Sequence, residues 1–179
     1  SLRDFSCVFQ YYYNLGYNIL IPEQRAHGGS QGKFIPWGIK EKYDCLAWIE
    51  FVNQEFDSNL PIFLSGGSMG ASTVLMALSL PLPANVKGII SDCGFTSPYR
   101  LLKNILNSFF IPSIPVLVVV AYYAKVFIGI DIRKESTLET MKTGNSPILF
   151  IHGANDTLGP SWMSVENFNS YQNNKELYI

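Results

Sequence analysis

Pro61-Ile62-Phe63-Leu64-Ser65-Gly66-Gly67-Ser68-Met69-Gly70 sets a short apolar run directly before a glycine-rich bend, and Met69 to Leu80 continues as an apolar stretch halted by Pro81 and Pro83. A strand over 61–65 that turns at once into a helix over 69–80 is one half of a parallel strand–helix unit. The bend reads G-x-S-x-G with Ser68 at its centre. Glycines at 66 and 70 remove Cβ atoms where strand and helix backbones are expected to crowd, and the serine is lifted at the apex.

The same alternation runs outward on both sides. Residues 2–15 are rich in aromatics and end at Gly16, which suits a helix stopped by a glycine. Tyr17-Asn18-Ile19-Leu20-Ile21-Pro22 has the composition of a short buried strand closed by proline. Between Pro36 and Phe56, Ile39, Tyr43, Leu46, Ile49 and Val52 recur at three- and four-residue steps with Glu41, Lys42 and Glu50 between them, the pattern of an amphipathic helix. Further strands are expected over 86–92, 147–152 and 176–179. Apolar runs alternating with helical patterns imply a mostly parallel sheet with flanking crossover helices, so the fold class is α/β, with one domain spanning residues 1–179.

An apolar fraction of 47% against 15% charged residues excludes a disordered chain. Thirteen basic and fourteen acidic side chains give a formal charge of −1 without any block of like charge, which argues against a nucleic-acid partner. Cys7, Cys45 and Cys93 are widely spaced, with no CxxC pair and no histidine at ligand spacing. They read as buried or reduced thiols, with no metal site. Ser1 to Phe9 lack the apolar core of a signal peptide. A cytoplasmic location is favoured, and an anchor or signal upstream of residue 1 stays open.

The alternation breaks over residues 94–143. Asn104 to Ala124 carry no charge and approach the length of a membrane span. Pro112, Pro115 and the polar residues Asn104, Asn107 and Ser108 argue against one, because prolines interrupt the backbone ladder a span needs. Short helices forming a cap are expected instead, with Phe109, Phe110, Ile111, Val116 to Val120, Tyr122 and Tyr123 lining an apolar cavity or packing on the strand ends. Membrane contact through that cap is the less favoured reading.

A serine hydroxyl needs a base to accept its proton and N–H donors for the oxyanion formed on attack. Ser68 is the candidate nucleophile. The Met69 N–H, at the positive end of the following helix, is the candidate oxyanion donor. Downstream, Ile151-His152-Gly153-Ala154-Asn155-Asp156 ends a strand, and Asp156 is either a catalytic acid or the residue of an Asx turn. Cys93 stands near a strand end and reads as inert packing. No cofactor is implied by these groups.

The chain resembles the bacterial α/β-hydrolases of the serine esterase, lysophospholipase and peptidase-like group. The resemblance rests on the elbow, the Ile151–Asp156 segment, Gln24-Arg25-Ala26-His27-Gly28-Gly29-Ser30-Gln31-Gly32 as the R-x-HG-x-S-x-G loop, and Ser91-Asp92-Cys93-Gly94-Phe95-Thr96-Ser97 leading into the cap. It implies a Ser–His–Asp triad with Ser68 as nucleophile and Asp156 as acid, and a small acyl or ester substrate. It also places the catalytic histidine beyond Ile179, and a second oxyanion loop with its strand before residue 1. Such an incomplete hydrolase fold would leave two unpaired edges between the strand at 17–22 and the strand at 61–65. On the resemblance's strand order, His27 and His152 each lie about 10 Å from the elbow, two strand spacings away, and read as structural residues.

Two functions follow. One is a serine hydrolase cleaving an ester or related acyl bond, with little turnover by this chain for want of the histidine. The alternative is a non-catalytic hydrolase-like domain that uses the cavity to bind an apolar ligand or partner. Oligomeric state is unconstrained by the sequence.

Overall fold

The computed structural model describes residues 6–179, so the expected helix start at residues 2–5 lies outside the described residues, as does the reading of Cys7 as a buried thiol. Helix α1 covers Ser6–Asn14 and α2 covers Glu41–Glu55. Strand β1 (Ile62–Gly67) turns into α3 (Met69–Ala77), which leads to β2 (Val86–Asp92). Helices α4 (Pro98–Ser108), α5 (Ser113–Tyr123) and α6 (Thr137–Thr140) intervene before β3 (Ile148–Ile151), and α7 (Trp162–Ser170) links β3 to β4 (Lys175–Tyr178).

The four strands form one parallel sheet in the order β1-β2-β3-β4. Each strand therefore returns by a crossover, and all carboxyl ends lie along one margin of the sheet. Ile49 of α2, Leu64, Val74, Leu75, Ile89, Phe150 and Tyr171 pack in one buried cluster that joins the sheet to its helices.

Tyr17–Pro22 is not a strand. An extended segment becomes a strand only by hydrogen-bonding to a neighbour, and β1, the nearest edge, carries no ladder to it. Contact with β1 is made through rings instead: Tyr17 meets Phe63 edge-on, with centroids 6.0 Å apart. Ile19, Leu20 and Ile21 are exposed rather than buried.

The helix expected over 36–56 begins at Glu41, and its polar residues do not all face water. Glu41 is buried and accepts the Gly38 N–H at 2.9 Å, while Lys42 is buried beside Glu135 at 3.6 Å. Both charged groups satisfy the turn at 36–40 and the segment after α5, a tertiary demand that local periodicity does not carry.

No helix among the described residues is long and apolar enough to cross a membrane. In the segment between β2 and β3, Ser97 caps α4 by accepting the Arg100 N–H at 3.2 Å, with Pro98 in the first turn where its missing N–H costs nothing. Pro115 likewise falls in the first turn of α5 and does not break it. A π-helical turn over Ala124–Ile128 then ends at Gly129, φ +74°. Of the residues expected to line a cavity, Val119, Val120 and Tyr123 border an apolar groove, whereas Phe109, Phe110 and Tyr122 face solvent.

Candidate active site

The bend after β1 is held in a backbone conformation that side chains seldom adopt. Ser68 has φ +52° and ψ −112°, and its N–H donates to the Asp92 carbonyl at 2.7 Å, while its own carbonyl accepts the Ser72 N–H. Such strain persists only where surroundings over-determine it. Here the next strand grips the elbow from one side and the first turn of α3 from the other. Ser68 is exposed. A Cβ on Gly66 would lie 2.3 Å from the Gly70 carbonyl, so the tight turn requires glycine there. Gly70 itself has open space where a Cβ would stand, so the crowding expected at both glycines is real only at the first.

Met69 is the first residue of α3, so its N–H, next to Ser68, has no carbonyl of its own helix to bond. Its side chain packs on Phe95, Leu101 and Met163. The loop after β2 is stitched to the same helix: the Phe95 N–H donates to Ser72 Oγ at 2.8 Å. At Gly94 an added Cβ would lie 2.6 Å from Ser91 Oγ and 3.3 Å from Ala71. This close approach gives the Ser91–Ser97 segment its physical role.

Ser68 and Asp156 line one cavity of about 240 Å³, with Cys93, Phe95, Leu101 and Gly159 on its walls. They come from the ends of β1 and β3, with β2 between, and the parallel register brings them to one margin. Asp156 also makes the turn weighed against its catalytic role: Oδ1 accepts the N–H groups of Leu158 at 2.9 Å and Gly159 at 3.0 Å. Oδ2 takes no part in that turn.

His152 is buried, with Nε2 bonded to the Gly159 carbonyl at 2.6 Å and Nδ1 to Ser164 Oγ at 2.7 Å. A carbonyl can only accept, so Nε2 carries a proton, while Nδ1 bonds to a Ser164 hydroxyl that also meets the Gly94 carbonyl at 3.3 Å. Asp156 Oδ2 lies 3.5 Å from Nε2. Both ring nitrogens are engaged, and His152 holds the loop together. His27 bonds through Nδ1 to the Arg25 carbonyl at 2.9 Å, inside a loop fastened by the bidentate Arg25–Asp44 pair.

Cys93 adopts φ +56° at the end of β2, and its thiol meets Asp92 Oδ1 at 3.2 Å. Burial pushes this thiol up from its usual range, with the Gly153 N–H working against that shift and Asp92 and Asp156 adding to it. Ligand atoms of Cys93, His152 and Asp156 lie within 4.8 Å of one another, a grouping that their distance along the sequence conceals. Both His152 nitrogens are engaged in hydrogen bonds and burial favours the protonated Cys93 thiol, while Asp156 Oδ2 stays outside the turn.

No family model matches the chain. It is similar to YqkD, an uncharacterized protein of Bacillus subtilis, with 29% identity over 167 residues covering 93% of this chain and 55% of that protein. Among solved structures it is similar to the Pyrococcus furiosus esterase Pf2001, with TM-score 0.72 and 24% identity over 96% of this chain and 64% of that one. Acetyl xylan esterase 1 from a Thermoanaerobacterium species matches with TM-score 0.63 and 16% identity, over 93% of this chain and 60% of that one. The chain thus spans somewhat over half the length of the relatives it matches. With its parallel sheet, crossover helices and sharp turn between β1 and α3, the chain has the fold of the α/β-hydrolases.

Proposed function

We propose that the protein is a serine hydrolase acting on an ester or related acyl bond. The observation that carries this reading is the pairing of an exposed Ser68 on a strained elbow with Asp156 in one cavity. Ser68 Oγ attacks the acyl carbon and the Met69 N–H stabilises the oxyanion. Asp156 Oδ2 orients the imidazolium that forms when the base takes the proton. His27 and His152 are bonded within their own loops and neither is the base on this reading, which the resemblance assigns to a histidine that is not one of this sequence's two. The 179 residues alone therefore turn over slowly.

Residues 94–143 serve as a cap in this reading. The groove bordered by Phe34, Trp37, Leu102, Tyr123, Phe127 and Ile132, about 520 Å³ in volume, would take the apolar part of the substrate. It adjoins the elbow cavity through Trp37 and Phe95, whose rings meet with centroids 6.4 Å apart. The same groove supports the non-catalytic alternative, an apolar-ligand module.

A fluorophosphonate probe separates the two. Protein expressed from its whole reading frame should label at Ser68 and lose the label in Ser68→Ala. The 179-residue chain should label slowly and be accelerated by added imidazole in place of the base. Whole protein that binds an apolar dye but leaves Ser68 unmodified would support the binding module instead.

A further inference from the structure

We infer that the α4–α5 hairpin is a docking surface for an anionic phospholipid bilayer, on which the protein lies without spanning it. Phe110, at the tip, is 95% exposed and has φ +57°. It occupies the left-handed position of a Schellman ending to α4: its N–H donates to Asn107 O at 3.0 Å, and the Ile111 N–H donates to Leu106 O at 2.9 Å. Glycine is the usual residue there. A phenylalanine bears both the conformational cost and the cost of a ring in water, and burial in acyl chains offsets the second.

The tip continues into an apolar stripe. Ile114, Val118 and Tyr122 fall at four-residue steps on α5 and are each more than 60% exposed. Leu117 and Ala121, on the adjoining face of the same helix, are buried, so α5 meets the core along that side while the stripe beside it stays in solvent.

Charge identifies the occupant. From Cys93 to Ile130 there is no aspartate or glutamate, while Lys103 and Lys125 flank the stripe, exposed and without an ion pair among the described residues. Arg100 is already paired with Glu166 at 2.7 Å. An apolar face in a segment that has no acidic residue and keeps two exposed lysines is complementary to acyl chains beneath anionic headgroups. α5 is too short to cross a bilayer, so the mode is interfacial. This inference does not rest on the hydrolase reading, since it concerns binding alone.

The test is flotation of the whole protein with vesicles of phosphatidylcholine, alone or mixed with phosphatidylglycerol. The protein should float with the mixed vesicles and be released by salt. Phe110→Ser should lower partitioning about tenfold, and Lys103→Glu with Lys125→Glu about as much. In Phe110→Trp, emission of the added indole should shift to the blue on vesicle addition. Failure of the wild type to float, equal flotation of Phe110→Ser, or an unshifted indole would each overturn the proposal. So would an assembly between copies that Phe110→Ser dissolves without any vesicle binding.

Discussion

Gly66 lies against the Gly70 carbonyl so closely that a Cβ on Gly66 would come within 2.3 Å of it, while a Cβ on Gly70 would meet nothing within 4 Å. The two glycines of one pentapeptide thus have different physical reasons to be there. Gly66→Ala should destabilise the fold by at least about 3 kcal/mol, because the clash is with backbone that cannot move aside. Gly70→Ala should be neutral or stabilising by about 0.5–1 kcal/mol, as expected for alanine replacing glycine in a first helical turn. Urea midpoints of the two variants measure the contrast.

Asp156 has two duties that a single substitution can part. Asparagine keeps an Oδ1 able to accept from Leu158 and Gly159, so Asp156→Asn should hold its stability within about 1 kcal/mol. It removes the carboxylate charge that would stabilise an imidazolium. Hydrolysis by the whole protein should then fall by about four orders of magnitude. Unchanged activity in a folded Asp156→Asn protein would assign the residue to the turn alone.

Glu41 makes stability depend on pH. Burial raises its carboxyl above the ordinary glutamate range, the Gly38 N–H bond lowers it in part, and Oε1 has no partner. The native state therefore holds this proton more tightly than the unfolded chain. Its contribution is present below the unfolded value and is lost as pH rises through the native one. Glu41→Gln should flatten that part of the curve, seen as a smaller difference between urea midpoints at pH 5 and pH 8.

The thiols should differ in access. Burial pushes Cys45 up to about 11, so about a thousandth of it is thiolate at pH 8. Cys93 lines the Ser68 cavity and should carbamidomethylate first despite its own raised value. The added group would fill space the probe needs, slowing fluorophosphonate labelling of Ser68 about tenfold or more. Cys93→Ala should abolish this sensitivity to iodoacetamide.

The parallel strands at 62–67, 86–92, 148–151 and 175–178 and the elbow between β1 and α3 were legible because each is written locally, in apolar runs and a glycine bend. The segment at 17–22 has a strand's composition and no ladder partner, and composition cannot report pairing. Burial of Glu41 and Lys42 depends on residues at 38 and 135, beyond any helical period. The meeting of Cys93 with His152 and Asp156 is made by adjacent strand ends, so strand order had to be known first. Phe110 gave no local sign that it would stand in water.

Ser68 rides on the outermost strand of the sheet. β1 is bonded to β2 along Ile62–Gly67, and among the described residues nothing is laddered to its other side. The strained torsions at the apex are kept in place by that seam, by the Ser68–Asp92 bond that ends it and by the Ser72 N–H bond of the first turn of α3. Amide exchange along β1 should therefore set a clock: the serine stays poised for as long as the seam stays shut, and a ligand that binds the free margin would slow its opening.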